Sequence, residues 1–319
     1  MRIVPWDRLP RSLDPQRVAL ELAAFSGYVT RRTVGILRRR WPLLSDYVGL
    51  FALEEETVVG QLLIRRLPFR TAAGVERVAG IASVTTRFDA QRRGVARALV
   101  QEAHRREAAA GMRFALLWTN PSWYAHRLYE ELGYRDVWSS PSAVRLLPRR
   151  RPSPRGLTLR PATPSELGGL EALHAEVARD DTGFSPRLRG FLREGHAAGY
   201  LDLEGLLVLR RRGERLGYAV VAKGHDLLRC GEIVAPRAAM PAMLDALEAR
   251  ASHGVLALGN TPVRALDAEL RRRGYFVQGG QEWRALMAVA LAGPLGPAEL
   301  REELGVDRPT FRCMSLDRF

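Results

Sequence analysis

Apolar positions along the first third of the chain switch between two periods. Residues 13–25 and 29–40 repeat apolar side chains every three to four positions among arginines, which predicts two amphipathic helices. The run YVGLFALEEETVVGQLLIRRL is apolar almost throughout and reads as two strands joined at the acidic turn Glu54–Glu56. A hairpin connection around Ala72–Gly74 leads into VERVAGIASVTTRF, a further strand. Val95, Leu99, Val100 and Ala103 return to helical spacing, and Gly111 suits the residue just past a helix end. FALLWT reads as a short buried strand and Pro121–Leu132 as a helix closed by Gly133. YRDVW then reads as a last strand, paired with SAVRLL.

The segment PRRRPSPRG, residues 148–156, breaks this order. Its prolines interrupt helices and sheet ladders and its arginines keep it solvated, so it reads as a linker between a first domain, 1–147, and a second, 157–319. LTLRPATPSELGGLEALHAEVA then starts afresh with a strand, Thr163 or Ser165 as helix cap, and an amphipathic helix. The second half repeats the order of the first. LEGLLVLRRRGERLGYAVVAK gives two strands, CGEIVAP a third, RAAMPAMLDALEARASHG a helix with Pro241 interrupting its start, and VLALGN a strand. LLWTNPSWYAHRLYEELGY lines up with LALGNTPVRALDAELRRRGY, with Asn120 before Gly133 and Asn260 before Gly274 at nearly equal spacing. Two copies of one mixed unit, offset by about 140 residues, account for this. EWRALMAVAL and FRCMSLDRF supply closing strands around a short helix at Pro297–Leu304.

Composition narrows the field without naming a chemistry. No apolar run approaches the roughly 20 residues of a membrane helix, and the first residues lack the pattern of a signal peptide, so a cytoplasmic protein is expected. Cys230 and Cys313 stand far apart with no histidine at metal-ligand spacing, so neither a metal site nor a disulfide is expected. The net charge of +14 invites a nucleic-acid reading. Lys223 is, however, the only lysine, and the arginines are spread over helix faces in both halves rather than gathered beside aromatics. Nucleic acid is therefore not the expected partner. His104 and His126 on helices, and His225 near a turn, read as surface or capping residues.

One stretch does carry candidate chemistry. After the strand ending near Thr86 comes QRRGVARALV, where Gly94 opens a helix among Arg92, Arg93 and Arg97. A helix start offers unmet N–H groups and a positive dipole end, and a glycine lets a ligand approach, which together suit a pyrophosphate. Taken alone, the stretch fits a plain basic helix start as well. It matches neither the Walker nor the GxGxxG pattern.

Gln91-Arg92-Arg93-Gly94-Val95-Ala96 resembles the [Q/R]-x-x-G-x-[G/A] hallmark of the GCN5-related N-acetyltransferase (GNAT) superfamily. Some 30 residues on, Asn120 and then Leu128-Tyr129-Glu130-Glu131-Leu132-Gly133-Tyr134 resemble its later motif. The resemblance covers residues 45–140 and echoes in the second half. It implies an α/β (α+β) fold of two tandem domains, each a mixed, mostly antiparallel sheet flanked by helices. It also implies an acetyl-CoA-dependent N-acetyltransferase acting on a primary amine of a small molecule or peptide. The backbone from Arg92 to Ala96, with Gln91 and Arg97 beside it, would hold the pyrophosphate. Val84, Thr85 and Thr86 would bind the pantetheine arm and thioester carbonyl, Asn120 would contact the pantetheine, and Tyr129 would be the general acid. On residues alone, Tyr129 fits a core tyrosine with a wet hydroxyl, and Asn120 a helix cap before Pro121.

Two departures are visible. Gly80 stands where many members carry a glutamate base, and Glu76, a pleat pair earlier, reads better as a solvated strand-start residue. The second copy has no such glycine loop and carries Leu270 in place of the tyrosine, so it is expected to bind no acetyl-CoA. The missing glutamate keeps open a non-catalytic acyl-CoA-binding or regulatory protein. Monomer and homodimer are both open.

Overall fold

The computed structural model describes the chain except residues 26, 41–46, 148, 150–153, 184–185, 188, 198, 200, 252–253, 260–262, 279–283 and 313–319. Most of the expected linker 148–156, Asn260 and Cys313 therefore lie outside the described residues. The chain begins with β1 (Arg2–Pro5), then α1 (Asp14–Phe25) and α2 (Arg31–Arg40), close to the helices that the spacing predicts. β2 (Tyr47–Glu54), β3 (Thr57–Thr71) and β4 (Gly74–Thr86) form an antiparallel ladder with β1. The tight β2–β3 turn is made by Glu55, which takes a left-handed φ of +52°. α3 (Val95–Ala109) crosses to β5 (Phe114–Thr119), which lies parallel to β4. α4 (Tyr124–Glu131), β6 (Arg135–Ser139) and β7 (Ser142–Leu147) follow.

The second half repeats this plan. β8 (Leu157–Pro161) pairs β9 (Leu206–Arg211), β9 pairs β10 (Glu214–Lys223), and β10 pairs β11 (Leu227–Val234), all antiparallel. α5 (Leu167–Val177) and α6 (Phe191–Ala197) lie between β8 and β9 in the chain. α7 (Met240–Arg250) crosses to β12 (Gly254–Gly259), parallel to β11, followed by α8 (Val263–Arg272) and β13 (Phe276–Gln278). Thr163 caps the turn before α5 in a reciprocal pair with Glu166. Pro241 does not interrupt α7 as expected: it sits in the first turn, where no N–H is required of it. β14 (Ala285–Ala290) and α9 (Pro297–Leu304) complete the chain, α9 with the expected bounds.

The described strands make two sheets of seven, in the orders β1-β2-β3-β4-β5-β14-β6 and β13-β7-β12-β11-β10-β9-β8. Position by position these are the same mixed sheet, but the copies exchange one strand. SAVRLL does not pair with YRDVW as its position in the chain predicts. β7 pairs β12 and β13 in the second sheet, and β14 takes the matching slot between β5 and β6 in the first. The exchange buries β14 on both faces: Leu286 joins the apolar layer under α1 and α9, and Met287 the layer under α3 and α4. Ala143 and Leu147 of β7 are likewise buried in the second copy. Each sheet thus has a core on both faces, the first built from these two layers and the second from two more. No described helix is long and apolar enough to cross a membrane.

Candidate active site

The site begins where two parallel strands part. Only Ala79 with Ala115 and Gly80 with Leu116 are in register between β4 and β5. Beyond Gly80, β4 bulges: its pairing with β3 shifts between Gln61 and Leu63, and Ser83 takes φ +50°. β5 meanwhile stays in register with β14 from Phe114 to Thr119. The edge of Ala82–Thr86 that faces β5 is left without a strand partner among the described residues, so Val84, Thr85 and Thr86 line one side of a wedge. Ligand sites in sheets of this kind lie off the C-terminal ends of such strands.

The glycine loop sits at the mouth of that wedge. After a short turn at Phe88–Ala90, Gln91 to Gly94 are exposed, with Arg92 at φ +59° and Gly94 at φ +82°. Alternating left-handed residues turn successive N–H groups towards one side, and the first turn of α3 adds its own unmet N–H groups. Gly94 offers no side-chain cap, and a Cβ built there would meet nothing within 4 Å. The loop is open on that side. Val95 is buried against the sheet and anchors it, while Ala96 is half-buried.

The arginines divide. Arg93 pairs with Glu54 at 2.6 Å and Arg97 with Glu131, so both also brace the loop. Arg92 meets no carboxylate among the described residues, which leaves its charge to the cradle.

Tyr129 on α4 is buried, its ring edge-on to Tyr134 at 5.7 Å, in the same apolar layer that Val84 packs against. Burial pushes its phenol up to about 12, and its hydroxyl has no hydrogen bond to another described residue. Tyr134 is held by His104, whose Nε2 lies 2.9 Å from the hydroxyl. His104 is thus a half-buried partner rather than the surface residue its spacing predicts. Burial pulls its imidazole down to about 4.

Asn120 is buried at the end of β5 and accepts from the Ser122 N–H at 2.8 Å and the Ser122 hydroxyl at 2.7 Å. This turn holds Pro121–Trp123 outside the helix, so α4 starts at Tyr124 rather than at Pro121 as expected. Glu76 is engaged by the Thr71 hydroxyl at 2.8 Å and Arg113 at 3.3 Å. No carboxylate stands at Gly80.

Three features were not foreseen from the sequence. On the α1 face, a groove of about 740 Å³ runs between α1 and the Thr85–Gln91 segment. Its walls include Ala19, Leu20 and Ala23 of α1, Val58, Thr85, and Phe88, which is 87% exposed. Gln16 fixes α1 over it, donating to the Glu56 carbonyl at 3.1 Å and accepting from the Val58 N–H at 2.9 Å. Beside the groove, Glu21 is buried with Arg17 at 3.1 Å and accepts from the Ser83 hydroxyl at 3.3 Å, clamping α1 to the bulge. The i, i+4 spacing of Arg17 and Glu21 is readable in the chain, but not their burial.

The third feature is Gln61, paired with Thr85 across β3 and β4 and wholly buried. Neither its Nε2 nor its Oε1 has a hydrogen-bond partner among the described residues. Each unmet buried group costs about 1–3 kcal/mol.

In the second copy, Leu270 is buried at the place matching Tyr129, and Tyr275 matches Tyr134, meeting Glu248 on α7 at 3.1 Å. The buried thiol of Cys230 is pushed up to about 12 and is inert at neutral pH.

Comparison with known proteins follows this geometry. Residues 18–137 match the acetyltransferase (GNAT) domain family. No curated protein matches the sequence. Among solved structures, a GCN5-related N-acetyltransferase from Anabaena variabilis shares 16% identity at TM-score 0.67, covering 91% of this chain and 73% of its own. Eis1 from Mycobacterium abscessus shares 17% at TM-score 0.61, covering 92% and 74%. A tandem GNAT protein from the clavulanic acid biosynthesis pathway shares 17% at TM-score 0.57, covering 92% and 99%. At these identities the likeness is one of fold. Residues 18–137 match the GNAT acetyltransferase domain, and the chain as a whole has the two-domain fold of a tandem GNAT protein.

Proposed function

We propose that this protein transfers an acetyl group from acetyl-CoA to a primary amine, and that only the first copy does so. The observation that carries the reading is the open left-handed loop at Arg92–Gly94 set against the parting of β4 and β5. The N–H groups from Arg92 to Ala96, with the Arg92 guanidinium, hold the pyrophosphate. Gln91 and Arg97 flank it. Acetyl-CoA bound there supplies an activated thioester. The unpaired edge at Val84–Thr86 fixes the pantetheine and polarises the thioester carbonyl through backbone N–H groups. Asn120 closes the other side of the wedge.

Tyr129 stays protonated at any working pH, because burial holds it near 12. Full transfer of its proton to a free thiolate of pKa about 8.5 would be uphill by roughly 5 kcal/mol. Its contribution is therefore a hydrogen bond that strengthens as charge grows on the departing sulfur. With Glu76 engaged and Gly80 bare, no carboxylate on β4 is free to take the amine's proton. An amine arriving neutral needs none. The same observation supports the alternative, an acyl-CoA-binding protein without turnover.

Following CoA release against a panel of amines separates the two. Transfer to any amine that falls sharply in Tyr129→Phe supports the enzyme. Tight acetyl-CoA binding with no release for any amine supports the alternative. Unchanged turnover in Tyr129→Phe removes the tyrosine's role.

A further inference from the structure

We propose that the groove under α1 receives the body of the acceptor, and that it takes a primary amine bearing a neutral amide beside an apolar or aromatic group. Gln61 is the amide's partner. The proposal rests on the acyl-transfer reading and narrows its substrate class.

Three observations carry it. The groove shares Thr85 and Thr86 with the strand edge that lines the wedge, so a molecule lying in it is within reach of the reacting end. None of its lining side chains is a carboxylate: its α1 wall is Gln16, three alanines and Leu20, and Arg87 and the exposed ring of Phe88 close it. Glu21, the acidic side chain of α1 that approaches this region, is already matched by Arg17, the Val29 N–H and the Ser83 hydroxyl. A polycation would find nothing here to offset its desolvation, whereas an apolar body with one amine suits the walls.

The third observation is the unmet amide of Gln61. Residues paired directly across two strands point to the same face, so Gln61 lies beside Thr85 on the groove's side of the sheet, just outside the groove lining. A buried glutamine with both ends unmet is rare in a folded protein. It offers one acceptor and two donors, the complement of another amide. A ligand that turns Thr85 aside meets both, and the molecule recovers hydrogen bonds that it lacks when empty.

Calorimetric titration with L-phenylalaninamide and with spermidine, in the presence of saturating CoA, tests this on the full chain. Phenylalaninamide should bind about tenfold or more tighter than spermidine, and Gln61→Leu should weaken it by about tenfold. The thermal midpoint of Gln61→Leu should stay or rise, because an apolar side chain replaces an unmet polar one. Ala23→Trp fills the groove from an exposed position on α1, and it should abolish phenylalaninamide binding while CoA still binds. The proposal is overturned if spermidine binds as well or better, if wild type does not bind phenylalaninamide, or if neither variant weakens its binding. A lowered thermal midpoint in Gln61→Leu overturns it too, since it marks the glutamine as structural. Failure of the acyl-transfer reading shows separately, as no CoA release with any amine.

Discussion

At the scale of single residues, burial sets the protonation states that matter. Tyr129 is the clearest case, since an apolar layer removes water from its ring and favours the neutral phenol. The pH profile of turnover should therefore show no alkaline fall from Tyr129 below about pH 10. Because the hydroxyl makes no hydrogen bond to a described residue, Tyr129→Phe should lower kcat by about a hundredfold or more with the thermal midpoint and CoA affinity nearly unchanged. His104 works on stability instead. Its folded value lies near 4, below the 6.5 of an exposed histidine, so the unfolded chain binds more protons between those values. Stability from this group is complete above about pH 6.5 and drains away as pH falls towards 4. Denaturant melts at pH 7.5 and 4.5 should show that loss, and His104→Gln should shrink the difference. An equal pH dependence in the variant would rule it out. His174, pulled down to about 3 by its burial, adds a loss of the same sign.

Elements show how a glycine and a bulge shape the proposed ligand site from ordinary parts. α3 is an unremarkable amphipathic helix, with Val95, Leu99, Val100 and Ala103 buried against the sheet. Its start takes the shape of the proposed anion cradle because the chain arrives through two left-handed residues, Arg92 and Gly94. Gly94→Ala should leave the fold intact and cost about 1–2 kcal/mol of stability, since the methyl meets no atom but its φ remains strained. If the loop binds as proposed, its Kd for CoA should rise by more than this strain alone accounts for, as the methyl points into the open space assigned to the pyrophosphate. Titration with CoA checks this, and unchanged affinity would remove the loop from the site. On the other strand of the wedge, Asn120 spends its carbonyl oxygen on the Ser122 turn. Its amide nitrogen is what remains for a ligand.

Across the whole molecule the exchanged strands dominate. β5 forms one wall of the wedge, and its outer edge is held along its whole length by β14, from the far end of the chain. The second copy therefore supports the first copy's site whether or not it binds a ligand itself. A fragment ending at residue 156 loses β14 and leaves β5 and β6 without the strand between them, with the apolar slot of Leu286, Met287 and Ala288 open. Expressed alone it should aggregate or melt without a cooperative transition. Coexpression with residues 157–319 should restore a soluble complex, as seen by size-exclusion chromatography and circular dichroism. A stable, cooperatively folded fragment would show the exchange to be dispensable.

What could be read along the chain was what depends on neighbours in sequence. Helical spacing in α1, α2 and α3, the apolar runs of β2–β5 and the glycines just past α3, α4 and α8 are local signals, and so is the loop motif from Gln91 to Ala96. The repeat of one unit was legible for the same reason. Strand exchange was not, because SAVRLL and ALMAVA are short apolar strands that fit the same slot in either sheet. Their partners are chosen by cores assembled from residues more than a hundred positions apart. Gln61 likewise reads as one polar residue in an apolar strand. Only tertiary packing buries its amide, and only the bulge at Ser83 parts β4 from β5. Periodicity fixes the elements because it acts within a few turns of chain. Pairing, burial and the groove beneath α1 are decided when distant surfaces close on one another, which no local pattern encodes.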